Sequence, residues 1–330
     1  MAINMESIKT LRAMTGAGLA DVKKALTEAD GDMERAKEIL RERGQAIAAK
    51  RSDRETANGC VLVKAENGFA AMIALKCETD FVANGADYIA LTQEILNAAI
   101  AAKAKDIETV KNLTLANGQT VSAAITERSG VTGEKMELDG YLFIEGDNVS
   151  VYNHMNKNVI CTMVQTNKPA EEQAHAVAMQ VAAMKPVALN EAAVDPAIIE
   201  EEKKVAAEKT KQEQVQKAVE NALKKAGINP AHVDSEEHME SNMAKGWITA
   251  EDVAKAKEII EKVSAEKAAN LPAAMIENIV KGRINRFYKE NCLLNQEFIQ
   301  DSKMSVADYL KSADKDLTVV DFKRFSLQAD

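Results

Sequence analysis

Positive charge is in short supply. Lys and Arg number 42 against 51 Asp and Glu, for a net charge of −9. That balance argues against a general nucleic-acid binder, which needs a basic surface to displace counterions. It leaves room for a local basic patch, favours solubility and suits a partner with a basic face. Aromatic residues are also scarce, at 4%, with one tryptophan, Trp247. With alanine and methionine abundant, the composition suits helices. The four cysteines (Cys60, Cys77, Cys161, Cys292) are scattered and form no CxxC pair. Reduced thiols in a cytoplasmic protein are the expectation. No apolar run is long enough to span a bilayer. No signal-peptide shape is expected at the N-terminus, because Ile8 and Leu11 are embedded among charges.

What is present is 46% hydrophobic residues over 330 positions, enough for two or more packed units. Residues 1–54 predict three short helices. Ile8 and Leu11 mark the first, and Thr15-Gly16-Ala17-Gly18 stops it. Leu19, Val22, Ala25 and Leu26 recur at helical spacing in the second, which Asp30-Gly31 ends. Asp32 is placed to cap the third, with Met33, Ala36, Ile39 and Leu40 inward and Gly44 as its C-terminal cap. Residues 45–58 predict a polar helical extension or linker, basic at Lys50, Arg51 and Arg54.

Strand character begins at Gly59. Cys60–Ala65 and Phe69–Lys76 flank Glu66-Asn67-Gly68, a strong hairpin signal. Cys77-Glu78-Thr79-Asp80-Phe81-Val82 follows as a loop, and then a helix with Tyr88, Leu91, Ile95, Leu96 and Ala99 on one face. Shorter helices, broken near Asn117-Gly118, fill residues 103–133. Tyr141–Glu145, Val149–Asn153 and Val159–Gln165 predict a meander, followed by Thr166-Asn167-Lys168-Pro169 and a helix from about Ala170 to Met184. The order strand, strand, Thr-Asp-Phe-Val, helix thus recurs as strand, strand, Thr-Asn-Lys-Pro, helix. Only the first copy carries an aromatic ring and a carboxylate at the turn.

From Pro196 the pattern is long and helical. Ile199–Ala226 has a thin seam of Val205, Val215, Val219 and Leu223. Gly227-Ile228-Asn229-Pro230 breaks it, an acidic stretch surrounds Trp247, and helices resume at Ala250–Ala269 and Ala273–Tyr288 around Pro272. This predicts a projecting helical hairpin or coiled coil, and a candidate for homodimerisation that does not require it. Val306–Leu310 predicts a short helix and Leu317–Leu327 a terminal strand.

Several blocks resemble the bacterial elongation factor Ts family, guanine-nucleotide exchange factors for elongation factor Tu. They are Leu11-Arg12-Ala13-Met14-Thr15-Gly16-Ala17-Gly18-Leu19 with Asp21-Val22-Lys23-Lys24-Ala25-Leu26, and Cys77-Glu78-Thr79-Asp80-Phe81-Val82-Ala83. Ala178-Met179-Gln180-Val181-Ala182-Ala183 and Ile279-Val280-Lys281-Gly282-Arg283 follow in the same order. The resemblance implies an α+β chain with a ubiquitin-associated-like three-helix docking domain at residues 1–54. A core of two related subdomains of antiparallel sheet with helices would follow, at 55–139 and at 140–193 with 303–330. The helical hairpin or coiled coil would be 194–302, with an insertion at about 211–262 relative to shorter members. The chain is expected to lack the extra C-terminal helical module of some members.

The same resemblance implies an activity in translation elongation that makes no bond. Thr79, Asp80, Phe81 and Val82 would insert beside the partner's Mg²⁺ site, Phe81 entering a pocket between helices. Arg12, Gly18 and Leu19 become a docking edge. Gln180 stands where some members have a histidine that shifts the phosphate-binding loop. No cofactor of the chain's own, no metal, no direct nucleic-acid contact and no membrane are expected.

Other readings stay open on the residues alone. By spacing, Phe81 is more readily a ring folded into a core, and Asp80 a helix cap. Cys77 invites a thiol hydrolase, without a neighbouring base. His232 and His238 with Asp234, Glu236 and Glu237 match no standard metal spacing. A scaffold protein whose three-helix module binds small domains would leave the 79–82 loop dispensable.

Overall fold

The computed structural model describes residues 4–328, so the outermost residues of the expected 1–54 and 303–330 segments lie outside the described residues. The chain is α+β. Its contacts divide it into two compact units, one running to Leu189 and resuming at Glu297, the other Asn190–Gln296.

The first unit opens with α1 (Met5–Thr15), α2 (Leu19–Glu28) and α3 (Met33–Lys50). Asn4 caps α1 by accepting the Ser7 N–H, and Gly16 ends it in the left-handed region. Ile8, Leu11, Val22, Ala25, Leu26, Ala36 and Ile39 meet in one small core, with Met33 and Leu40 packed against it. Gly44 is not a C-terminal cap, because α3 runs through it to Lys50. Its role is close approach. A Cβ added to Gly130 would lie 2.2 Å from the Gly44 Cα. Only without a side chain at Gly130 can the two backbones come this close.

The core continues with β1 (Asn58–Glu66), β2 (Phe69–Cys77), α4 (Asp80–Ala83), α5 (Ala86–Ala101), α6 (Ile107–Asn112) and α7 (Val121–Thr132). Then come β3 (Met136–Glu145), β4 (Val149–Asn153), β5 (Ile160–Thr166) and α8 (Glu171–Met184). The second unit supplies α9 (Pro196–Lys225), α10 (Glu236–Ala244), α11 (Ala250–Ala269) and α12 (Ala273–Asn291). The chain returns as β6 (Glu297–Phe298), β7 (Asp301–Ser305), α13 (Val306–Ala313) and β8 (Val319–Ser326).

Asn67 and Gly68 form the predicted two-residue hairpin, with φ of 52° and 71°. The predicted meander does not form. β3 pairs antiparallel with β2, giving the sheet order β1-β2-β3, while β4 and β5 pair with each other and β8 closes the second sheet as β4-β5-β8. The chain changes sheets at Gly146-Asp147-Asn148, where Gly146 and Asn148 both have positive φ. β2 is buried on both faces, as its period of two shows. Phe69, Ala71, Ile73, Leu75 and Cys77 face a cluster with Tyr88, Ile95, Leu96 and Ala99 of α5. Ala70, Met72 and Ala74 face Cys161 and Met163 of the second sheet. α8 covers the other side of β5, where the Thr162 hydroxyl donates to the Ala178 carbonyl at 2.9 Å. Helices therefore sandwich two stacked sheets.

The second unit is a helical hairpin built on α9. α11 and α12 both pack along α9, and Arg283 Nη2 meets Glu213 Oε2 at 2.6 Å. Leu223, Ile228, Val233, Met239, Ile248 and Ala256 form its far core. The expected seam residue Val205 is 44% exposed, and Ala206 and Thr210 are buried in its place. The strands β6 and β7 were not foreseen.

Candidate functional site

β2 ends at Cys77, and the next turn is held from several sides. The Glu78 carboxylate accepts from Arg51 Nη1 at 3.0 and 3.1 Å, from Arg54 Nη1 at 3.3 Å and from the Lys135 N–H at 2.6 Å. Asn58 Nδ2 donates to the Glu78 carbonyl at 2.9 Å. Thr79 donates its N–H to Glu134 Oε2 at 3.1 Å and its hydroxyl to Glu134 Oε1 at 2.7 Å. The Thr79 oxygen also accepts the Val82 N–H at 3.4 Å, capping the single turn of α4.

That turn sorts its four residues by direction. Ala83 is buried and Val82 packs against the core of the first sheet. Successive helical positions are about 100° apart, so with Val82 and Ala83 inward, Asp80 and Phe81 face outward. Phe81 is 87% exposed, which overturns the expectation from spacing alone that the ring folds into a core. The Asp80 carbonyl accepts from both the backbone N–H and the side-chain amide of Asn84, at 3.0 and 2.8 Å.

The second copy of the repeat is built differently. Asn167 donates to the Asp316 and Thr318 carbonyls and accepts the Thr318 N–H, and Lys168 Nζ meets Asp314 Oδ1 at 2.8 Å. Its turn is fastened to the segment before β8, whereas the first copy presents an unattached ring.

Arg12, Gly18 and Leu19 come together at the α1–α2 turn. Arg12 lies in the last turn of α1 and its carbonyl accepts the Gly16 N–H at 2.8 Å. Gly18 is the N-cap of α2, and Leu19 is 53% exposed. Met14, beside them, is 56% exposed and was not singled out from the sequence. Gln180 is elsewhere and fully buried, at 0% exposure. Its Nε2 donates to the Glu297 carbonyl at 3.0 Å and its Oε1 accepts the Ile299 N–H at 2.8 Å. The amide thus holds the β6–β7 hairpin and offers no face to solvent.

The thiol reading finds no chemistry. Burial pushes Cys77 up to about 11, and its thiol donates to the Thr79 carbonyl at 3.2 Å. A protonated, enclosed thiol is a poor nucleophile. Among the described residues, no three His, Cys, Asp or Glu side chains converge as metal ligands. His238 Nδ1 contacts Asp234 Oδ1 at 2.5 Å, while the His232 ring lies 5.5 Å from that of Trp247. Among the described residues, no helix is long and apolar enough to cross a membrane.

Sequence reasoning missed the Glu78 and Glu134 clamps. In the sequence, Arg51 and Arg54 read only as part of a basic linker. Glu78 is 27 residues from Arg51, and Glu134 is 55 from Thr79, so no local spacing could show either pairing. Burial alone would raise the Glu78 carboxyl, but the Lys135 N–H and the Arg51 and Arg54 charges more than offset it and hold it below the usual carboxylate range. A lowered folded-state value contributes stability above the unfolded pKa, which is lost as pH falls through the folded one. Glu78→Gln is therefore expected to flatten the acid limb of denaturation midpoints measured below about pH 5. An acid limb identical to wild type would count against the clamp.

A family model described as Elongation factor TS matches residues 78–229 and 220–329. A protein of Bacteroides fragilis named Elongation factor Ts is 63% identical over 331 residues, spanning 100% of this chain and 100% of that one. One of the same name from Parabacteroides distasonis is 63% identical over 330 residues, with 100% of both chains covered. A more distant one, from Porphyromonas gingivalis, is 42% identical over 331 residues, again with 100% of both covered.

Proposed function

The chain belongs to the elongation factor Ts family, and from that membership we propose that it promotes GDP release from elongation factor Tu in the cytoplasm. The observation that carries the reading is the 87% exposed Phe81 on a clamped single turn beside Asp80. A large ring held in solvent is stabilised only when a partner covers it, and aromatic anchors of that kind dominate interfaces.

The mechanism follows from linkage. A protein that binds its nucleotide-free partner best must weaken nucleotide binding by the same coupling free energy. Each tenfold in that coupling needs about 1.4 kcal/mol. Covering a Phe side chain contributes about 1.5–3 kcal/mol. One ring entering a pocket between helices therefore supplies about one to two powers of ten. Asp80 adds negative charge near the partner's Mg²⁺ and phosphates, which favours nucleotide departure by competing for or displacing the ligands of the metal. The nucleotide and the Mg²⁺ are the partner's, and no bond is made or broken. Arg12, Gly18 and Leu19, with Met14, form the edge by which residues 1–54 dock. Gln180 acts at one remove, by holding the β6–β7 hairpin whose turn exposes Ile299. The apolar seam of the helical hairpin is used within one chain, at Leu223, Ala256 and Ile284, so the reading takes no second copy.

The test is release of labelled GDP from elongation factor Tu, with and without this protein. Acceleration by catalytic amounts is the expected result. No acceleration would sink the proposal and favour a scaffold role.

A further inference from the structure

A four-residue helix cannot fix its own direction, because helix nucleation is unfavourable and a single turn returns few bonds. The direction of α4 must come from outside it, and the residue best placed to supply it is Glu134. Both of its carboxylate oxygens are taken up by Thr79, the residue on which α4 begins. Glu134 is itself held in place. Its carbonyl accepts the buried Ser129 hydroxyl, and its N–H donates to the Thr132 hydroxyl at 3.3 Å. It directly follows Gly133, the left-handed cap that ends α7.

α7 is anchored in turn at two further points. At Gly130 it closes on Gly44 of α3. At Arg128 its Nη2 meets Asp87 Oδ2, in the first turn of α5, at 3.0 Å. One helix thus touches the three-helix module, the helix after the loop and, through Glu134, the loop itself.

We propose that Glu134 is a positioning residue for nucleotide exchange: its carboxylate holds Thr79 so that Phe81 and Asp80 project ready-ordered for insertion. The inference rests on the exchange reading above. Glu134 need not touch the partner. It removes the disorder that the loop would otherwise lose on insertion, so its contribution falls on the inserted state and not on first docking. Removing it should lower the maximal rate of stimulated GDP release and leave the half-saturating concentration near that of wild type. A residue that merely stapled the fold would act differently, through the fraction of folded protein.

The experiment measures GDP release from elongation factor Tu across a range of concentrations of wild type, Phe81→Ala, Glu134→Ala, Glu134→Gln, Thr79→Val, Thr79→Ser and the double variant Glu134→Ala/Thr79→Val. Thermal midpoints are taken for each. The expected result is about a tenfold lower maximal rate for Glu134→Ala, equivalent to about 1.4 kcal/mol. The loss should be smaller for Glu134→Gln, whose amide keeps one acceptor, and smaller for Thr79→Ser, which keeps the hydroxyl, than for Thr79→Val. The double variant should lose no more than Glu134→Ala alone, the mark of a coupled pair. If Glu134→Ala does not fold, Glu134→Gln and Thr79→Val carry the comparison. Wild-type acceleration that Phe81→Ala reduces but the Glu134 variants do not overturns the inference alone. Strictly additive losses overturn it as well. Failure of wild type to accelerate release sinks the exchange reading and the inference with it.

Discussion

Replacing Phe81 by alanine is expected to lower stimulated GDP release by about 10- to 100-fold and to leave the thermal midpoint of the free protein where it was. The two halves of that result are separable because of where the ring sits. In a core, a Phe→Ala change typically removes about 3–5 kcal/mol of stability. Phe81 is 87% exposed, so the free chain has almost no packing to lose there. The whole effect belongs to the complex, where about 1.5–3 kcal/mol of ring burial is forfeited, one to two powers of ten in rate. A lowered midpoint with proportionate loss of exchange would return the ring to a folding role. Full exchange by the variant would remove the wedge while leaving the exchange activity to other contacts.

Gln180→Leu is expected to act in the opposite way, destabilising the free protein by about 3 kcal/mol. The side chain is fully buried, and its amide satisfies one backbone acceptor and one backbone donor of the β6–β7 hairpin. Leucine fills similar space but leaves the Glu297 carbonyl and the Ile299 N–H without that partner. The amide end of each bond is buried, and each backbone group left facing leucine there costs about 1–3 kcal/mol. Gln180→His should lose less, since a neutral imidazole has one donor and one acceptor to offer. Urea unfolding midpoints of the three proteins decide the matter. A leucine variant as stable as wild type would show that the amide carries no such load.

How much of this was legible in the sequence depends on the range over which each feature is decided. The three N-terminal helices, the Asn67-Gly68 turn and the long helices after Pro196 are set within a few residues, and spacing and caps found them. Features set by distant residues were misread or missed. Tyr141–Glu145 and Val149–Asn153 look like consecutive strands of one sheet, yet β3 belongs to β2, which lies far earlier in the chain. Gly44 has the sequence look of a cap, but its small size serves Gly130, a residue of another helix. β6, at two residues, is too short to show a period. Val205 lost its expected place in the seam, where Ala206 and Thr210 are the buried residues instead. The projecting ring was legible only in part. The Thr-Asp-Phe-Val turn marked the place, while the direction of Phe81 is decided by Val82 and Ala83 turning inward and by Glu134 holding Thr79.

The four thiols, all buried, make a built-in clock for opening of the chain. Cys60, Cys77 and Cys161 sit within the sheet unit, and Cys292 within the helical one. Burial lifts the first three to about 12, about 11 and about 12, and raises Cys292 too, so the native thiols should be silent to a brief pulse of alkylating reagent at neutral pH. Under mild denaturant, modification of Cys292 alone would time the opening of the helical hairpin by itself, whereas simultaneous modification at all four would mean that both units come apart in one step. Each residue's mass tag would then report which part of the molecule had breathed, without a probe being introduced.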